Sequence, residues 1–155
     1  MPTIHLETII ACSPEIVFDL SRSINLHMAS TSHTKEKVIG GKAKGLIQLG
    51  ESVTWEATHF GFRQKLTSKI TQFQRPQSFR DSMVSGAFKK FDHDHIFEPY
   101  NNGTKMTDVF NYRSPLGLLG RIADTMFLKN YMKRLLMQRN QVIKKVAENN
   151  PELYL

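Results

Sequence analysis

The chain has 155 residues, 40% of them hydrophobic and 23% charged, with 9 glycines and 6 prolines, which is enough for one domain that buries roughly 70% of its unfolded surface and excludes disordered, fibrous and disulfide-scaffold classes. The lone cysteine, Cys12, rules out an internal disulfide and suits a reducing compartment. A formal charge of +7 raises nucleic acid or an anionic membrane surface, but the Lys and Arg residues are spread along the chain, which argues for a solvated surface and against a nucleic-acid footprint.

The N-terminal MPTIHLETII lacks the basic and long apolar regions of a signal peptide, and no run of about 18 apolar residues follows, so no transmembrane segment and a cytoplasmic location are expected. TIHLETII alternates as a strand with Ile4, Leu6 and Ile10 in phase. Ser13-Pro14 starts a helix over about 14–21, with Ser13 as N-cap and Pro14 in the first turn. SINLHMAS suggests a second short helix over about 23–30. TKEKVI at 34–39 reads as a short strand, and GGKAKGLIQLG as a basic loop whose spacing fits no phosphate-binding pattern.

SVTWEATHF and FRQKLTSKITQF flank Phe60-Gly61, and a tight turn there pairs His59 with Phe62, Ala57 with Gln64, Trp55 with Leu66 and Val53 with Ser68. The opposite set, Arg63, Lys65, Thr67 and Lys69, suits water. FRDSMVSG is a strand with Phe79, Asp81 and Met83 on one face. KFDHDHIFEP puts Phe91, His93, His95 and Phe97 on one face and Asp92, Asp94, Ile96 and Glu98 on the other. Asn101-Asn102-Gly103 signals a turn, and TKMTDVFNY completes seven strands. Ser114-Pro115 starts a third helix, whose apolar residues include Leu116, Leu119, Met126, Phe127, Leu135, Ile143 and Val146, and which ends near Glu148 before Asn149-Asn150-Pro151. At 1.5 Å per residue such a helix is about 50 Å long and needs a large curved sheet to cover one side.

The order of one strand, two short helices, six antiparallel strands and a long helix resembles the helix-grip fold of the START/SRPBCC superfamily, in particular its small bacterial branch. The resemblance rests on SPEIVFDL, GESVTWEATHFGFRQKLTSKIT, FRDSMVSGAFKKFDHDHIFEP, GTKMTDVFNY and PLGLLGRIADTMFLKNYMKRLLMQRN, about residues 3–147. It implies an α+β fold, with a curved seven-stranded antiparallel sheet wrapped around the C-terminal helix. It also implies a single domain over 1–150 with 151–155 as a short tail, and a hydrophobic small molecule or lipid held between sheet and helix. The superfamily includes the birch-pollen-allergen proteins and polyketide cyclases/dehydratases, so a cyclase- or dehydratase-like enzyme is the alternative to a non-catalytic binder. No cofactor or metal is expected, and the chain is compatible with a monomer or a homodimer.

Alternation places Trp55, His59, Gln64, Leu66, Ser68, Asp81, Met83, Phe91, His93, His95 and Phe97 on the concave face; all of these but Ser68, together with Met126, are the expected ligand-binding residues. Asp108 joins them if the loop before it leaves its register in phase, and Met132 and Met137 are further candidate liners. Three interpretations of the His/Asp group stay open. It is a satisfied buried hydrogen-bond network, the polar end of a ligand pocket that orients a carboxylate, hydroxyl or carbonyl, or a site of chemistry. In the last case His59, His93 or His95 is the general base, with Asp81 as its orienter, or His-x-His holds zinc.

Overall fold

The computed structural model describes residues 2–114 and 127–155. Seven strands form one antiparallel sheet in the order β1-β7-β6-β5-β4-β3-β2: β1 (Thr3–Ile10), β2 (Lys37–Gly41), β3 (Ser52–His59), β4 (Phe62–Gln74), β5 (Ser78–Ser85), β6 (Lys90–Tyr100) and β7 (Gly103–Arg113). Between β1 and β2 lie α1 (Pro14–Ser21) and α2 (Ile24–Ser30); after β7 comes α3 (Lys129–Asn149). This is the helix-grip fold. The part of the expected long helix from Pro115 to Met126, including its Ser-Pro start, lies outside the described residues.

The local reasons are visible in the chain. Ser13 has extended backbone and its carbonyl accepts the first helical bond from the Val17 N–H at 3.0 Å, but its side chain makes no capping bond, contrary to expectation. Ser23 does cap α2, accepting from the Leu26 N–H. Its hydroxyl also donates to the Tyr154 carbonyl at 3.1 Å, which ties the 3-10 turn Pro151–Tyr154 against the start of α2. The hairpin joining β3 and β4 has the expected register, including Trp55 opposite Leu66 and His59 opposite Phe62. Its two-residue turn needs positive φ at both positions, and Phe60 (54°) and Gly61 (78°) supply it. Glycine adopts that backbone freely; for a phenylalanine it costs on the order of 1 kcal/mol.

Curvature comes from irregular pairing. Register shifts interrupt β2–β3 between Val38 and Gly40, and β4–β5 near Thr67/Ser68 and Ile70/Gln72. Each adds local twist, so the sheet curls toward α3. α3 packs against β1, α1 and α2. Two apolar clusters result. The larger joins Val17, Phe18 and Leu20 to Phe79, Phe97, Met106, Ile143 and Ala147, with Phe18 edge-on to the rings of Phe73, Phe79 and Phe97. The smaller holds Ile4, Phe91, Phe110, Tyr112 and Leu136.

Candidate functional site

A polar layer separates the two clusters, and the same order recurs on three elements. Inward residues along β6 run Phe91, His93, His95, Phe97; along β7 they run Met106, Asp108, Phe110; along α3 they run Leu136, Arg139 with Asn140, Ile143. On each element the polar members lie between a residue of one cluster and a residue of the other. Asp108 is fully buried at 0% exposure and sits at the centre. Its Oδ1 accepts from His93 Nε2 at 2.8 Å and lies 3.4 Å from both His95 Nδ1 and Arg139 Nη1. Its Oδ2 accepts from Asn140 Nδ2 at 2.7 Å. Arg139 also donates to the Asn140 side-chain oxygen at 2.9 Å and to the Ser21 carbonyl at 3.4 Å. His95 Nε2 is bonded to Asp81 Oδ1 at 2.6 Å. The two imidazoles stack on each other at 3.8 Å, and His95 stacks on Phe79 at 4.2 Å.

The charges follow from these contacts. Burial pushes the Asp108 carboxyl up, but the bonds from His93 and His95 and the nearby Arg139 guanidinium override it and hold the group well below the usual carboxylate range. Asp81 is lowered in the same way, with burial opposed by the bond from His95 and the charges around it. Burial works against a charged His95, but its bonds to Asp108 and Asp81 outweigh that and raise it above the ordinary imidazole range. His93 is lowered, first by burial and then by the charge of His95. These contacts favour the charged ring at His95, against the Arg139 Nη2 that lies 3.5 Å from its Nδ1, and the neutral ring at His93; with that pairing two carboxylates meet one guanidinium and one imidazolium, a balanced set. Carboxylates flank both ring nitrogens of His93, Asp108 at 2.8 Å from Nε2 and Asp81 at 3.8 Å from Nδ1; the shorter contact fixes the proton of the neutral ring on Nε2 and leaves the lone pair on Nδ1.

His93, Asp81 and Arg139 form one wall of a cavity of about 620 Å³. The other walls are largely apolar: Trp55, Leu66, Phe88, Phe91, Phe110, Met132, Leu135 and Leu136. A second cavity of about 110 Å³ lies on the same polar wall and is lined by His95, Phe79 and Ile47 among others. More polar groups line the large cavity from β3, α2, α3 and the segment before β2. His59 Nδ1 and Tyr131 Oη share a hydrogen bond of 2.6 Å. Burial lowers His59 and raises Tyr131, so both are neutral near pH 7. His27 Nε2 lies 2.6 Å from Glu36 Oε1, and the His27 ring packs on Trp55 at 4.5 Å. Asp81, His93 and His95 each bring one potential ligand atom within 4.8 Å of the others. Carboxylates already engage both imidazoles and Arg139 adds a positive charge, so this donor set suits a hydrogen-bonded layer better than a cation.

Of the expected ligand-binding residues, Trp55, His59, Gln64, Leu66, Asp81, Phe91 and His93 line the large cavity, as does Ser68. His95 does not; it stands behind His93. Phe97 packs in the larger apolar cluster, and Met83 packs beside the smaller one. Met137 is exposed rather than a liner, and Met126 lies outside the described residues. Of the three imidazoles the sequence leaves open to Asp81, its short bond goes to His95, diagonally across the β5–β6 ladder; it faces His93 in that ladder at 3.8 Å from Nδ1, and His93 is held instead by Asp108. The expectation named none of Tyr131, Arg139 and Asn140. The signal for the last two was their place in a 136, 139, 140, 143 stripe with Leu136 and Ile143, the buried side of α3.

The sequence matches the family model described as polyketide cyclase / dehydrase and lipid transport over residues 1–148. Solved structures share the fold. Protein TTHA0849 from Thermus thermophilus aligns with a TM-score of 0.73 at 15% identity, covering 94% of this chain and 99% of that one. Ara h 8.0201 aligns with a TM-score of 0.73 at 13% identity over 96% and 99% of the two chains. Major latex-like protein 151 from Panax ginseng gives 0.68 at 14% identity over 94% and 97%. No curated protein matches the sequence.

Proposed function

We propose that this chain, which belongs to the polyketide cyclase / dehydrase and lipid transport family, binds an apolar small molecule in the cavity between sheet and α3 and orients it by one polar group at the His93–Asp81–Arg139 wall. The observation that carries this is the cavity itself: about 620 Å³ with mostly apolar walls and a charge-balanced polar wall at one side. Ligand pockets of small proteins have that volume and that mixture. The experiment is titration with Nile red, a neutral apolar dye, alongside native mass spectrometry of protein purified from cells before and after solvent extraction. Leu135→Trp, which fills the cavity from α3, lowers dye affinity by about tenfold or more without loss of thermal stability. If the dye does not bind above a cavity-free control and no small molecule co-purifies, the proposal fails.

A second function, enzymatic, is favoured by one specific feature. His93 is neutral, lines the cavity, and has Nδ1 unprotonated while Asp108 holds the ring through Nε2. A neutral imidazole fixed by a carboxylate is a competent general base for removing a proton beside a carbonyl, as enolisation, cyclisation or dehydration requires. His93→Gln abolishes turnover of a polyketide-like substrate on this account, with the fold intact; a variant that loses stability alone supports a purely structural role.

A further inference from the structure

Three aromatic rings are exposed near the large cavity: Phe60 and Phe127 at its edge, and Phe62 on the same hairpin, opposite the cavity-lining His59. Phe60 is 47% exposed, Phe62 71% and Phe127 59%. Phe60 and Phe127 also line the cavity, so the patch and the opening share residues. Phe60 bridges the β3–β4 hairpin and the start of α3, packing on Tyr131 at 4.4 Å and on Phe127 at 5.4 Å. From Phe127 a shallow groove of mixed character runs along α3, with Phe127 and Met137 as its apolar ends and Asn130, Lys133 and Arg134 between them, and Met137 is 48% exposed. Lys133 and Arg134 are exposed there.

Two unfavourable features coincide at the hairpin tip. A phenylalanine occupies the left-handed backbone that Asn, Asp or Gly would take at lower cost, and aromatic side chains stay in water. Among the described residues, packing on Tyr131 and Phe127 offsets these costs in part for Phe60, while Phe62 stays 71% exposed. Both are offset if the tip enters a hydrocarbon–water boundary, where aromatic residues are favoured. The net charge is spread along the chain, but the adjoining Lys133 and Arg134 place two cations beside the exposed rings and select an anionic surface.

We propose that Phe60, Phe62, Phe127 and Met137, together with Lys133 and Arg134, form a docking surface for an anionic lipid bilayer that sets the cavity opening against the membrane. The purpose rests on the cavity-binding function proposed above: an apolar ligand then passes between bilayer and cavity without crossing water. A protein partner would use the aromatic patch equally well, but the opening would then be covered and the cations would need an acidic counterpart.

The test is co-sedimentation with vesicles of phosphatidylcholine alone and of an equal mixture with phosphatidylglycerol, at low and high salt. Wild type binds the mixed vesicles, releases as salt rises, and binds phosphatidylcholine weakly. Phe62→Ser, which removes a ring exposed to water, weakens binding about tenfold. Phe60→Asn does the same while placing a residue suited to the left-handed turn. Lys133→Gln with Arg134→Gln weakens binding to mixed vesicles by about tenfold or more and leaves the phosphatidylcholine result unchanged. Absence of wild-type binding to mixed vesicles at low salt overturns the proposal, as does binding that both phenylalanine variants retain. Concentration-dependent dimerisation lost in Phe62→Ser, without vesicle binding, also overturns it and assigns the patch to a second copy of this chain. Nile red titration without vesicles reads the cavity separately, so failure at the membrane is distinguishable from failure of the pocket.

Discussion

His93 and Asp108 are not opposite one another in the β6–β7 ladder, yet they form a 2.8 Å hydrogen bond: His93 faces Phe110, and Asp108 faces His95. The diagonal reach lets one carboxylate serve both imidazoles, with His93 on Oδ1 at 2.8 Å and His95 Nδ1 at 3.4 Å. It also frees His95 Nε2 for Asp81 on the strand beyond, where the bond is diagonal too. Two diagonal bonds join four side chains on three neighbouring strands into one connected layer, and α3 closes it with Arg139 and Asn140.

Asp108→Asn tests how much the layer depends on its central charge. The substitution keeps shape but leaves Arg139 and the His95 imidazolium facing a neutral amide in a buried site. Removing one partner from a buried charge set costs about 3–5 kcal/mol. Urea unfolding should show a midpoint lowered accordingly, with an unchanged slope. A loss under about 1 kcal/mol would mean that water reaches the layer and screens it.

The histidines give stability opposite dependences on pH. His95 is raised in the folded chain, so its contribution is complete below the unfolded imidazole value and disappears as pH climbs through the folded one. His93 is lowered, so its contribution is complete above the unfolded value and disappears as pH falls through the folded one. In wild type the two oppose each other near neutrality. The lowered Asp81 and Asp108 contribute above the unfolded carboxylate value and lose that contribution in acid. Single variants should separate the slopes between about pH 5.5 and about pH 8: His95→Gln gains stability as pH rises, and His93→Gln loses it. Equal slopes of one sign in both variants would refute the assignment of charge.

Tyr131→Phe probes the other polar pair. The ring stays against Phe60, but His59 Nδ1 loses its 2.6 Å partner. Both groups are half-buried and neutral, so the expected loss is about 1 kcal/mol, well below that of Asp108→Asn. Thermal unfolding of the two variants side by side checks the ranking.

Strand alternation and the Phe60-Gly61 turn make the β3–β4 register and the inward face of β6 legible in the sequence. Alternation assigns a face, however, and not a depth. Phe97 and Phe91 share the inward side of β6, but Phe97 meets α1 in the packed end and Phe91 reaches the cavity. Arg139 was illegible for a different reason: a charged helical residue is ordinarily solvated, and only the balance of two carboxylates and two cations makes its burial tolerable. The sequence leaves Asp81 open to His59, His93 or His95, because ladder register sets it opposite His93 but does not fix which way its carboxylate leans, and it leans to the diagonal neighbour His95.

If the cavity binds an apolar molecule as proposed, the charge balance also selects the polar end of that molecule. Asp81 and Asp108 are already matched by Arg139 and His95, and His93 resists protonation. An ionised carboxylate entering at this wall would add a third negative charge, lose its own hydration and find no unmatched cation. A hydroxyl or carbonyl meets no such penalty: the former donates to His93 Nδ1 and the latter accepts from Arg139. Decanol should therefore displace Nile red about tenfold or more better than decanoate at neutral pH, since a difference of about 1.4 kcal/mol already gives that ratio. The preference should shrink in Asp81→Asn, where one positive charge is released from its partner. If decanoate binds better than decanol in the wild type, the wall carries net positive charge and His93 must be protonated in the bound state.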